Sequence, residues 1–328
     1  MAGPLVSILI PSYNHGRYIH ACLDSIRQQT LSDWEVVIVD DGSTDDSVAA
    51  AELWAAEDTR FRVFQNEQNL GTYGTEQRAL ELSTGSLVAI MNSDDLWDSS
   101  KLERQVSALA QHPTASFCYC LGWQVDDLGQ IDRSEDVHAD WPTEELQEPL
   151  PYLLYENRIL ASGVLFRREG LRFETSCRYS GDWVALLERS LAGPAACVSD
   201  RLTFWRQHET NTYRRSPKQV LEEIRVRRAI AANPSRWFLP RMDPALVSLG
   251  LAKNAINLQV LSVLCGDRRL AWSAARQAFK YHPNKRWLWK RVAAMLLPHS
   301  MVKRRFWKGE DLGLTAKDVE AVAPLVFR

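Results

Sequence analysis

The first hundred residues alternate between short apolar runs and amphipathic segments. Four apolar runs predict buried strands, at residues 6–10, 34–39, 61–64 and 87–91. Between them, apolar side chains recur three and four positions apart, which predicts amphipathic helices. These helices are expected over about 18–26, 47–57 and 75–83. The alternation predicts an α/β fold with a mostly parallel, doubly wound sheet and helices on both faces, because parallel strands need crossover connections.

The rhythm changes after residue 100. Further predicted strands lie at 115–125, 161–167, 195–199 and 202–207. Further predicted helices lie at 101–111 and 180–191, and an acidic loop covers 126–148. From residue 217 onward the pattern is helical. We therefore predict an α/β domain over 1–216, with parts at about 1–98 and 99–216, and a helical C-terminal region over 217–328.

The net charge of −2 conceals a division between two parts of the chain. Residues 1–200 carry 14 Lys and Arg against 32 Asp and Glu, a net charge of −18. Residues 201–328 carry 25 against 9, a net charge of +16. Residues 268–309 alone hold twelve basic residues and no acid. Such asymmetry suggests that the basic part contacts an anionic surface.

Composition excludes several classes of protein. An apolar fraction of 45% and a charged fraction of 24% are ordinary for a globular protein, and no apolar stretch is long enough to span a membrane. The six cysteines lack the paired spacing of zinc sites, so we expect reduced thiols in a cytosolic protein. No nucleic-acid-binding motif occurs, and we predict no nucleic-acid partner.

Two neighbouring carboxylates follow the fourth predicted strand, in the sequence Asn92-Ser93-Asp94-Asp95. Open α/β sheets bind ligands at the carboxyl ends of their strands. Adjacent carboxylates repel each other, and a cation would neutralise them. One interpretation of Asp94 and Asp95 is therefore a cation site. The other is that they cap the helix that begins near residue 99.

Four motifs in this order resemble the inverting glycosyltransferases of family 2, which have the nucleotide-diphospho-sugar transferase (GT-A) fold. The motifs are Val-Ser-Ile-Leu-Ile-Pro-Ser-Tyr-Asn at 6–14, Val-Asp-Asp-Gly-Ser-Thr-Asp at 39–45, Asn-Leu-Gly at 69–71 and Asn-Ser-Asp-Asp at 92–95. Each motif lies at the carboxyl end of a predicted strand or in the loop that follows it. The resemblance covers roughly residues 5–212. It implies an enzyme that binds a nucleotide-diphospho-sugar donor.

The resemblance implies a nucleotide site in the first two motifs. The loop formed by Pro11, Ser12, Tyr13 and Asn14 would pass beneath the nucleobase, with backbone from Pro11 and the ring from Tyr13. Asp41 would accept a hydrogen bond from N3–H of a uracil, which suits a uridine or thymidine donor. The alternative for Asp41 is that it caps a helix.

The resemblance also implies a divalent cation, Mg2+ or Mn2+, which would bridge the diphosphate. Asp95 would ligate this ion and Asp94 would contact the ribose or a metal-bound water. Asn92 stands where many members of the family have Asp, so only the two later acids remain. By the same resemblance, His208 would complete the metal shell or contact the diphosphate, and Arg206 would neutralise the leaving diphosphate.

Inversion requires a base that removes a proton from the acceptor hydroxyl. In the family this base is an Asp at the start of a helix, usually within a Glu-Asp pair. Asp182 occupies that place here, and Gly181 replaces the Glu. The alternative is that Asp182 is an N-cap residue.

The basic segment 268–309 mixes Trp and aliphatic residues with Lys and Arg, a composition typical of helices that lie on anionic lipid. Such a surface would present the lipid-linked acceptor that is common in this family. The alternative is that the segment packs on the acidic domain or on another subunit.

The function predicted from the sequence is metal-dependent transfer of a sugar from a UDP- or dTDP-sugar to a saccharide or lipid-linked acceptor, in cell-surface glycan biosynthesis. The protein would be cytosolic and peripheral on the inner membrane face. One rival is a nucleotidyltransferase, which the absence of a cation before Arg17 disfavours. The other is a non-catalytic subunit that binds a nucleotide sugar.

Overall fold

The computed structural model describes residues 3–134, 136–139, 141–209, 211, 217–232, 244–282, 284, 286, 288–289, 292, 301 and 316–327. The strands are β1 Val6–Ser12, β2 Trp34–Asp40, β3 Phe61–Gln65, β4 Leu87–Ile90, β5 Leu96–Trp97, β6 Phe117–Val125, β7 Ile131–Asp132, β8 Leu146–Gln147, β9 Val164–Arg167 and β10 Ala195–Arg206. The helices are α1 Gly16–Arg27, α2 Ser47–Glu57, α3 Gly71–Leu82, α4 Lys101–Gln111, α5 Leu150–Tyr155, α6 Gly181–Ala192, α7 Pro217–Ala232, α8 Pro244–Leu264, α9 Arg268–Tyr281 and α10 Ala316–Phe327.

The strands form one mixed sheet with the order β3-β2-β1-β4-β9-β6-β10-β5, to which β7 and β8 add short pairings. The four strands at one end, β3, β2, β1 and β4, are parallel to one another. β9 is antiparallel to both β4 and β6, and β10 is parallel to β6. The prediction of an α/β fold is confirmed, and the sheet is mixed beyond β4.

β1 is longer than the sequence predicted, because it continues through Pro11 to Ser12. Both residues are in register with β2, opposite Val39 and Asp40. On the other side, the pairing of β1 with β4 ends at Leu9. Proline lacks an N–H but is tolerated where a strand has an open side, so the strand does not stop at this residue.

α3 begins at Gly71, whereas the sequence predicted a start near residue 75. The backbone N–H groups of Leu70 and Gly71 donate to the carboxylate of Asp41, which follows β2. An acceptor from a distant part of the chain therefore satisfies N–H groups that a helix start leaves unpaired. The local periodicity of apolar residues cannot predict such a long-range contact.

β10 replaces two predicted strands with a single one. Its register against β6 shifts between Val198 and Arg201, and again between Arg201 and Thr203. The intervening polar residues that suggested a break form an irregularity, as in a β-bulge, which inserts residues without ending a strand. The strand then continues to Arg206 at its carboxyl end.

The chain divides into two compact units, residues 1–149 with 158–211, and residues 150–157 with 212–328. The predicted boundary after residue 216 lies close to the passage from the first unit to the second between residues 211 and 212. The first unit contains the sheet, whose core is rich in Val, Ile and Leu. The second contains α5 and α7 to α10, and its core joins α7, α8, α9 and α10. Among the described residues, no helix is long and apolar enough to cross a membrane.

Candidate functional site

The predicted site residues lie at the carboxyl ends of four strands or at a helix start. Pro11 and Ser12 end β1, Asp41 follows β2, Asp94 and Asp95 follow β4, and Arg206 ends β10. β10 points in the same direction as β4, because two antiparallel pairings through β9 separate β4 from β6 and β6 is parallel to β10. The four strand ends therefore meet at one edge of the sheet.

Asp40 ends β2 and is bonded within its own turn. Its Oδ1 accepts hydrogen bonds from the N–H groups of Gly42 (3.1 Å) and Ser43 (2.8 Å). Its Oδ2 accepts from the Ser43 hydroxyl at 2.5 Å. The side chain is buried. Asp40 therefore fixes the turn after β2, as an acidic residue often does in a turn.

Asp41 connects the end of β2 to the start of α3. Its Oδ1 accepts from the amide of Asn66 at 2.6 Å and from the N–H of Leu70 at 2.7 Å. Its Oδ2 accepts from the N–H of Gly71 at 2.8 Å. A carboxylate offers about four acceptor positions, so Oδ2 retains one. The helix-capping interpretation of Asp41 is thus realised at α3, and uracil recognition stays a prediction.

The loop after β1 is tied to the turn after β2 by Asn14. This residue has a φ of +55°, in the left-handed region that Asn tolerates. Its N–H donates to the Ser43 hydroxyl and its Oδ1 accepts from the N–H of Thr44, both at 2.8 Å. The ring of Tyr13 is 48% exposed. The Ser12 hydroxyl is buried without a hydrogen-bond partner among the described residues.

Asp95 is enclosed by protein. Its carboxylate, in a residue that is 1% exposed, accepts from the Ser162 hydroxyl (2.5 Å), the backbone N–H of Arg206 (2.9 Å) and the Asn92 amide (3.2 Å). Burial, with a further contribution from Asp94, raises the pKa of Asp95 to about 8. Asp95 therefore joins β4 to β10 and to the chain before β9.

Asp94 faces a cluster of possible metal ligands. Its Oδ2 lies 3.0 Å from Nε2 of His208 and accepts from the Asn211 amide at 3.1 Å. One ligand atom from each of His15, Asp94 and His208 lies within 4.8 Å of the others. Nδ1 of His15 lies 2.7 Å from the hydroxyl of Ser93, and burial lowers the pKa of His15. A neutral imidazole is the form that binds a metal.

The cluster differs from the predicted ligand pair of Asp95 and His208. His208 is in the cluster, whereas Asp95 is not and is enclosed with three protein donors. The carboxylate of the cluster is that of Asp94, whose neighbours are an imidazole and a side-chain amide. Two imidazoles and one carboxylate form a mixed nitrogen and oxygen set, which suits a first-row divalent ion such as Mn2+ better than Mg2+, because Mg2+ prefers oxygen ligands. The residues present therefore fit a divalent cation.

The guanidinium of Arg206 is directed at backbone carbonyls. Nε donates to the oxygen of Asp94 at 2.8 Å, and Nη1 donates to the oxygen of Asp127 at 2.8 Å. The residue is 4% exposed, and its guanidinium lies 5.3 Å from the ring centroid of Tyr18. This environment differs from the predicted contact with a leaving diphosphate. Arg206 holds the turn after β4 against the loop after β6.

His15 and Tyr18 were not assigned roles from the sequence. The ring of Tyr18 stacks on His208, with centroids 4.6 Å apart and an interplanar angle of 25°. The ring of His15 meets His208 edge to face at 5.6 Å. The Tyr18 hydroxyl donates to Asp127 at 2.5 Å. His15 directly follows the first motif, and this position could have marked it as a site residue. Tyr18 fits the apolar periodicity of the first predicted helix, which indicated only a core-facing residue.

Asp182 lies inside the first turn of α6. The helix begins at Gly181 and its N-cap residue is Ser180, so the interpretation of Asp182 as the N-cap is wrong. The hydroxyl of Tyr73, in the first turn of α3, donates to Oδ1 of Asp182 at 3.0 Å. α3 therefore contacts both Asp41, through its first N–H groups, and Asp182. Its N-terminus connects the two parts of the site.

Relatives with curated descriptions match part of the chain. WfgD of Escherichia coli, a UDP-Glc:alpha-D-GlcNAc-diphosphoundecaprenol beta-1,3-glucosyltransferase, is 36% identical over 115 residues, 35% of this chain and 44% of that protein. TuaG of Bacillus subtilis, a putative teichuronic acid biosynthesis glycosyltransferase, is 38% identical over 112 residues, 34% of this chain and 44% of that protein. The chain thus spans less than half the length of these relatives.

Solved structures share the fold. S. aureus TarS 1–349 in complex with UDP-GlcNAc has a TM-score of 0.65 and 18% identity, over 99% of this chain and 90% of that one. The mannosyltransferase PcManGT from Pyrobaculum calidifontis, in complex with GDP-Man and Mn2+, has a TM-score of 0.51 and 20% identity, over 94% and 89% of the two chains. These identities are low, so the likeness concerns the fold, and the predicted GT-A class is confirmed.

The sequence pattern of one protein family covers most of the sheet-containing unit. This family is described as Glycosyl transferase family 2, and its pattern matches residues 7–172, just over half of the 328 residues. The match includes the turns after β1, β2 and β4, which carry part of the candidate site, and ends before Asp182, Arg206 and His208. The chain belongs to glycosyl transferase family 2.

Proposed function

We propose that this protein transfers a sugar from a nucleotide-diphospho-sugar to an acceptor hydroxyl with inversion. The observation that carries the proposal is the cluster of His15, Asp94 and His208, which come from the turns after β1, β4 and β10. The cluster lies at the sheet edge that also carries Tyr13 and Asp41. A carboxylate and two imidazoles suit a cation that binds phosphate oxygens. An exposed aromatic ring suits a nucleobase.

In this proposal the chain's own residues divide the work among three positions. Asp94 and His208, with His15 beside them, would hold a divalent cation, and this ligand set suits Mn2+ better than Mg2+. The bound cation supplies neutralisation of charge on the diphosphate. Tyr13 and Asp41 would contact the nucleobase. Arg206 acts indirectly, because it holds the backbone of Asp94 through a 2.8 Å hydrogen bond.

Asp182 is the proposed base for the acceptor hydroxyl. It is a half-buried carboxylate in the first turn of α6, and its orientation is set by the Tyr73 hydroxyl. The positive end of the helix dipole stabilises its charged form. A carboxylate held in this way can accept the proton as the hydroxyl attacks. The proposed base thus lies at the start of α6, and none of the proposed cation ligands is close to it in the sequence.

The descriptions of the relatives support the choice of donor class. TarS is described in complex with UDP-GlcNAc, and WfgD is described as using UDP-Glc and a diphosphoundecaprenol acceptor. We therefore propose a UDP-sugar donor and a saccharide or lipid-linked acceptor in cell-surface glycan biosynthesis. The remaining acceptor position on Oδ2 of Asp41 is compatible with a donor N–H such as N3 of uracil.

The second unit offers a surface for anionic lipid. α9 buries small residues on one side, at Ala271, Ala274, Ala275 and Ala278. Its exposed residues are Arg268, Arg269, Trp272, Ser273, Arg276 and Lys280, and from Arg269 onward they recur three and four positions apart on the other side. Trp272 is 45% exposed. A basic face that carries an exposed aromatic ring is typical of a helix at a membrane interface.

We propose that this face of α9 lies on an anionic membrane, with each basic residue contributing about 1 kcal/mol near the surface. Much of the predicted segment 268–309 lies outside the described residues, namely 283, 285, 287, 290–291, 293–300 and 302–309. Its contribution stays a prediction, as does the inner-face, cytosolic localisation. The proposal for α9 rests on the described helix.

The first experiment tests donor and cation together. UDP is titrated calorimetrically into the full chain in buffer with Mn2+ and in buffer with EDTA. We expect binding with Mn2+ and much weaker binding in EDTA. UDP release from UDP-glucose and UDP-GlcNAc then measures turnover. Equal binding in both buffers would remove the cation from the proposal, and no UDP binding at all would remove the nucleotide site.

A second experiment tests the base. Asp182→Asn should lower turnover by about 10²- to 10⁴-fold, the range typical of a general base, while UDP affinity stays unchanged. Asp200→Asn is the matched control, because Asp200 is an exposed acid paired with Arg104. Asp182→Asn with the turnover of the control would mean that Asp182 is not the base. UDP binding without turnover in the unmodified protein would favour the rival interpretation, in which the protein binds a nucleotide sugar without catalysis.

A third experiment tests the membrane surface by vesicle sedimentation. The triple variant Arg269→Gln, Arg276→Gln and Lys280→Gln should bind phosphatidylglycerol-containing vesicles much more weakly than the unmodified protein. The control removes three exposed charges from the first unit, with Arg27→Gln, Arg104→Gln and Arg172→Gln. Equal losses of vesicle binding in the two triple variants would mean that net charge alone causes the effect. Unaltered sedimentation would show that α9 is not the surface.

A further inference from the structure

The side chain of Tyr73 is inserted between the starts of α3 and α6. It is 8% exposed, and its hydroxyl donates to Oδ1 of Asp182 at 3.0 Å. Its ring packs directly on Gly181: a Cβ built at residue 181 would lie 2.6 Å from Cδ2 of the ring. Any larger residue at 181 would therefore displace Tyr73 from Asp182. The hydrogen bond to Asp182 depends on glycine at this position.

Glu76 lies one turn after Tyr73 on the same helix. It is 1% exposed, and its Oε2 is buried without a hydrogen-bond partner among the described residues. A buried carboxyl with an unsatisfied oxygen is unusual, because burial without a partner disfavours its charged form. Glu76 takes no part in the donor or cation sites described above. Its electrostatic neighbours among the described residues include Tyr73 and Asp182.

Two carboxyl groups that interact in this way tend to share one proton. Burial, and then the charge of Asp182, raise the pKa of Glu76 well above its ordinary value. Asp182 is less buried and accepts a hydrogen bond from Tyr73, which favours its charged form. Glu76 is therefore the fully buried acid of the pair, and Asp182 is the half-buried acid that accepts a hydrogen bond.

We propose that Tyr73 and Glu76 are positioning residues for Asp182, which orient its carboxylate and keep the single negative charge of the pair on it. This inference rests on the proposed role of Asp182 as base. It adds a second acid, supplied by α3, to a helix start where Gly181 leaves no acid beside Asp182. Tyr73 from α3 lies beside both acids of the pair.

The first test uses Tyr73→Phe, which keeps the ring that packs on Gly181. We expect kcat to fall about tenfold, because a hydrogen bond to a charged group is lost. We expect the acidic limb of the pH–rate profile to move to higher pH, since the charged form of Asp182 loses a donor. The affinity for UDP with Mn2+ should not change. The assay follows UDP release from UDP-GlcNAc or UDP-glucose.

Tyr119→Phe is the matched control. Tyr119 is also buried in the first unit, and its hydroxyl is bonded to Trp141, Gln147 and the oxygen of Pro142. Its loss should lower the melting temperature without moving the pH–rate profile. A Tyr73→Phe enzyme whose kcat and acidic limb match those of the unmodified enzyme would overturn the role of Tyr73.

The second test needs no turnover. Below the ordinary Glu pKa, folded and unfolded chains both hold the Glu76 proton, and as the pH rises the unfolded chain loses it first. The folded state therefore loses stability with rising pH, because it alone retains the proton. Glu76→Gln removes this dependence. Its melting temperature should exceed that of the unmodified protein by a margin that grows between pH 5 and pH 8.

The same margin measured in an Asp182→Asn background should be smaller, because the charge that holds the proton on Glu76 is absent. Glu76→Met provides a second uncharged replacement if the Gln variant folds poorly. A margin that is independent of pH or of Asp182 would overturn the role of Glu76. If the unmodified protein neither bound UDP nor turned over a UDP-sugar, the proposed function would be contradicted instead. The dependence of the melting-temperature margin on Asp182 would still be measurable in that case.

Discussion

Two turns at the ligand edge of the sheet carry the same pair of residues and use it differently. Asp40-Asp41 follows β2, and Asp94-Asp95 follows β4. In the first turn, both carboxylates accept hydrogen bonds from backbone N–H groups, at Gly42 and Ser43 for one and at Leu70 and Gly71 for the other. In the second turn, one carboxylate is enclosed and the other faces imidazole rings.

The difference lies in the donors that surround each carboxylate. Backbone N–H groups at a turn or helix start are fixed by the fold and cannot leave without breaking it. The imidazole and amide around Asp94 are side chains that can instead share a cation with it. The bonding of an Asp-Asp pair therefore depends on which elements meet it. The same two letters in the sequence do not distinguish the cases.

The largest expected effect is that of Asp94→Ala. Loss of the cluster's only carboxylate should lower Mn2+-dependent turnover about a thousandfold, equivalent to roughly 4 kcal/mol. The melting temperature should stay close to that of the unmodified protein. Mn2+ titration and UDP release measure the effect. Retained Mn2+ affinity would break the contrast between the two turns, and would return attention to Asp95 as the ligand.

Asp95→Ala should act on stability first. Three donors, from Asn92, Ser162 and the backbone of Arg206, would lose their acceptor, and we expect the free energy of unfolding to fall by about 3 kcal/mol. Urea unfolding at about pH 4 measures this change, because at pH 7 the proton that only the folded chain holds on Asp95 would oppose it. If Asp95→Ala proved as stable as Asp94→Ala, the two acids of the second turn would not have separate roles.

The turn after β4 also leads into a buried cation, Lys101, which has no counterpart after β2 in the described structure. Its Nζ donates to Gln105 at 2.8 Å and lies 3.9 Å from the centroid of a Trp97 ring. Burial lowers the pKa of this lysine to about 8. Between pH 8 and the ordinary value of 10.5, the unfolded chain holds a proton that the folded chain has lost. This lysine therefore contributes stability as the pH rises through that window.

Lys101→Met removes the contribution. The variant should be more stable relative to the unmodified protein at pH 7 than at pH 10, by about 2 kcal/mol between the two values. Comparison of the two proteins at each pH cancels the thiols and tyrosines that titrate in the same range. Urea unfolding gives the four free energies, and a difference that does not vary with pH would mean that Lys101 titrates normally.

Asp40→Asn should have the smallest effect. The amide keeps one acceptor oxygen for the turn, so we expect the free energy of unfolding to fall by only about 1 kcal/mol. Mn2+ affinity should be unchanged, in contrast with Asp94→Ala. Thermal unfolding with and without Mn2+ measures both quantities. A loss of Mn2+ affinity in Asp40→Asn would mean that the first turn also serves the cation.

The strands and helices of the first unit were largely predictable, because their apolar periodicity reflects burial in the sheet core. α2 and α4 have the predicted bounds. The start of α3 was not predictable, since its N–H groups are satisfied by Asp41 from another strand. The single strand β10 was not predictable either, because a polar irregularity in a strand has the same local pattern as a break.

The sequence by itself determined the α/β class, the family and the strand ends at which the candidate residues lie, because these follow from periodicity and local motifs. Only the tertiary structure decided which acid of Asp94 and Asp95 faces His208, and that Tyr73 and Glu76 lie behind Asp182. The physical reason is that a carboxylate's role depends on its burial and on the donors around it. Those donors come from residues far away in the chain.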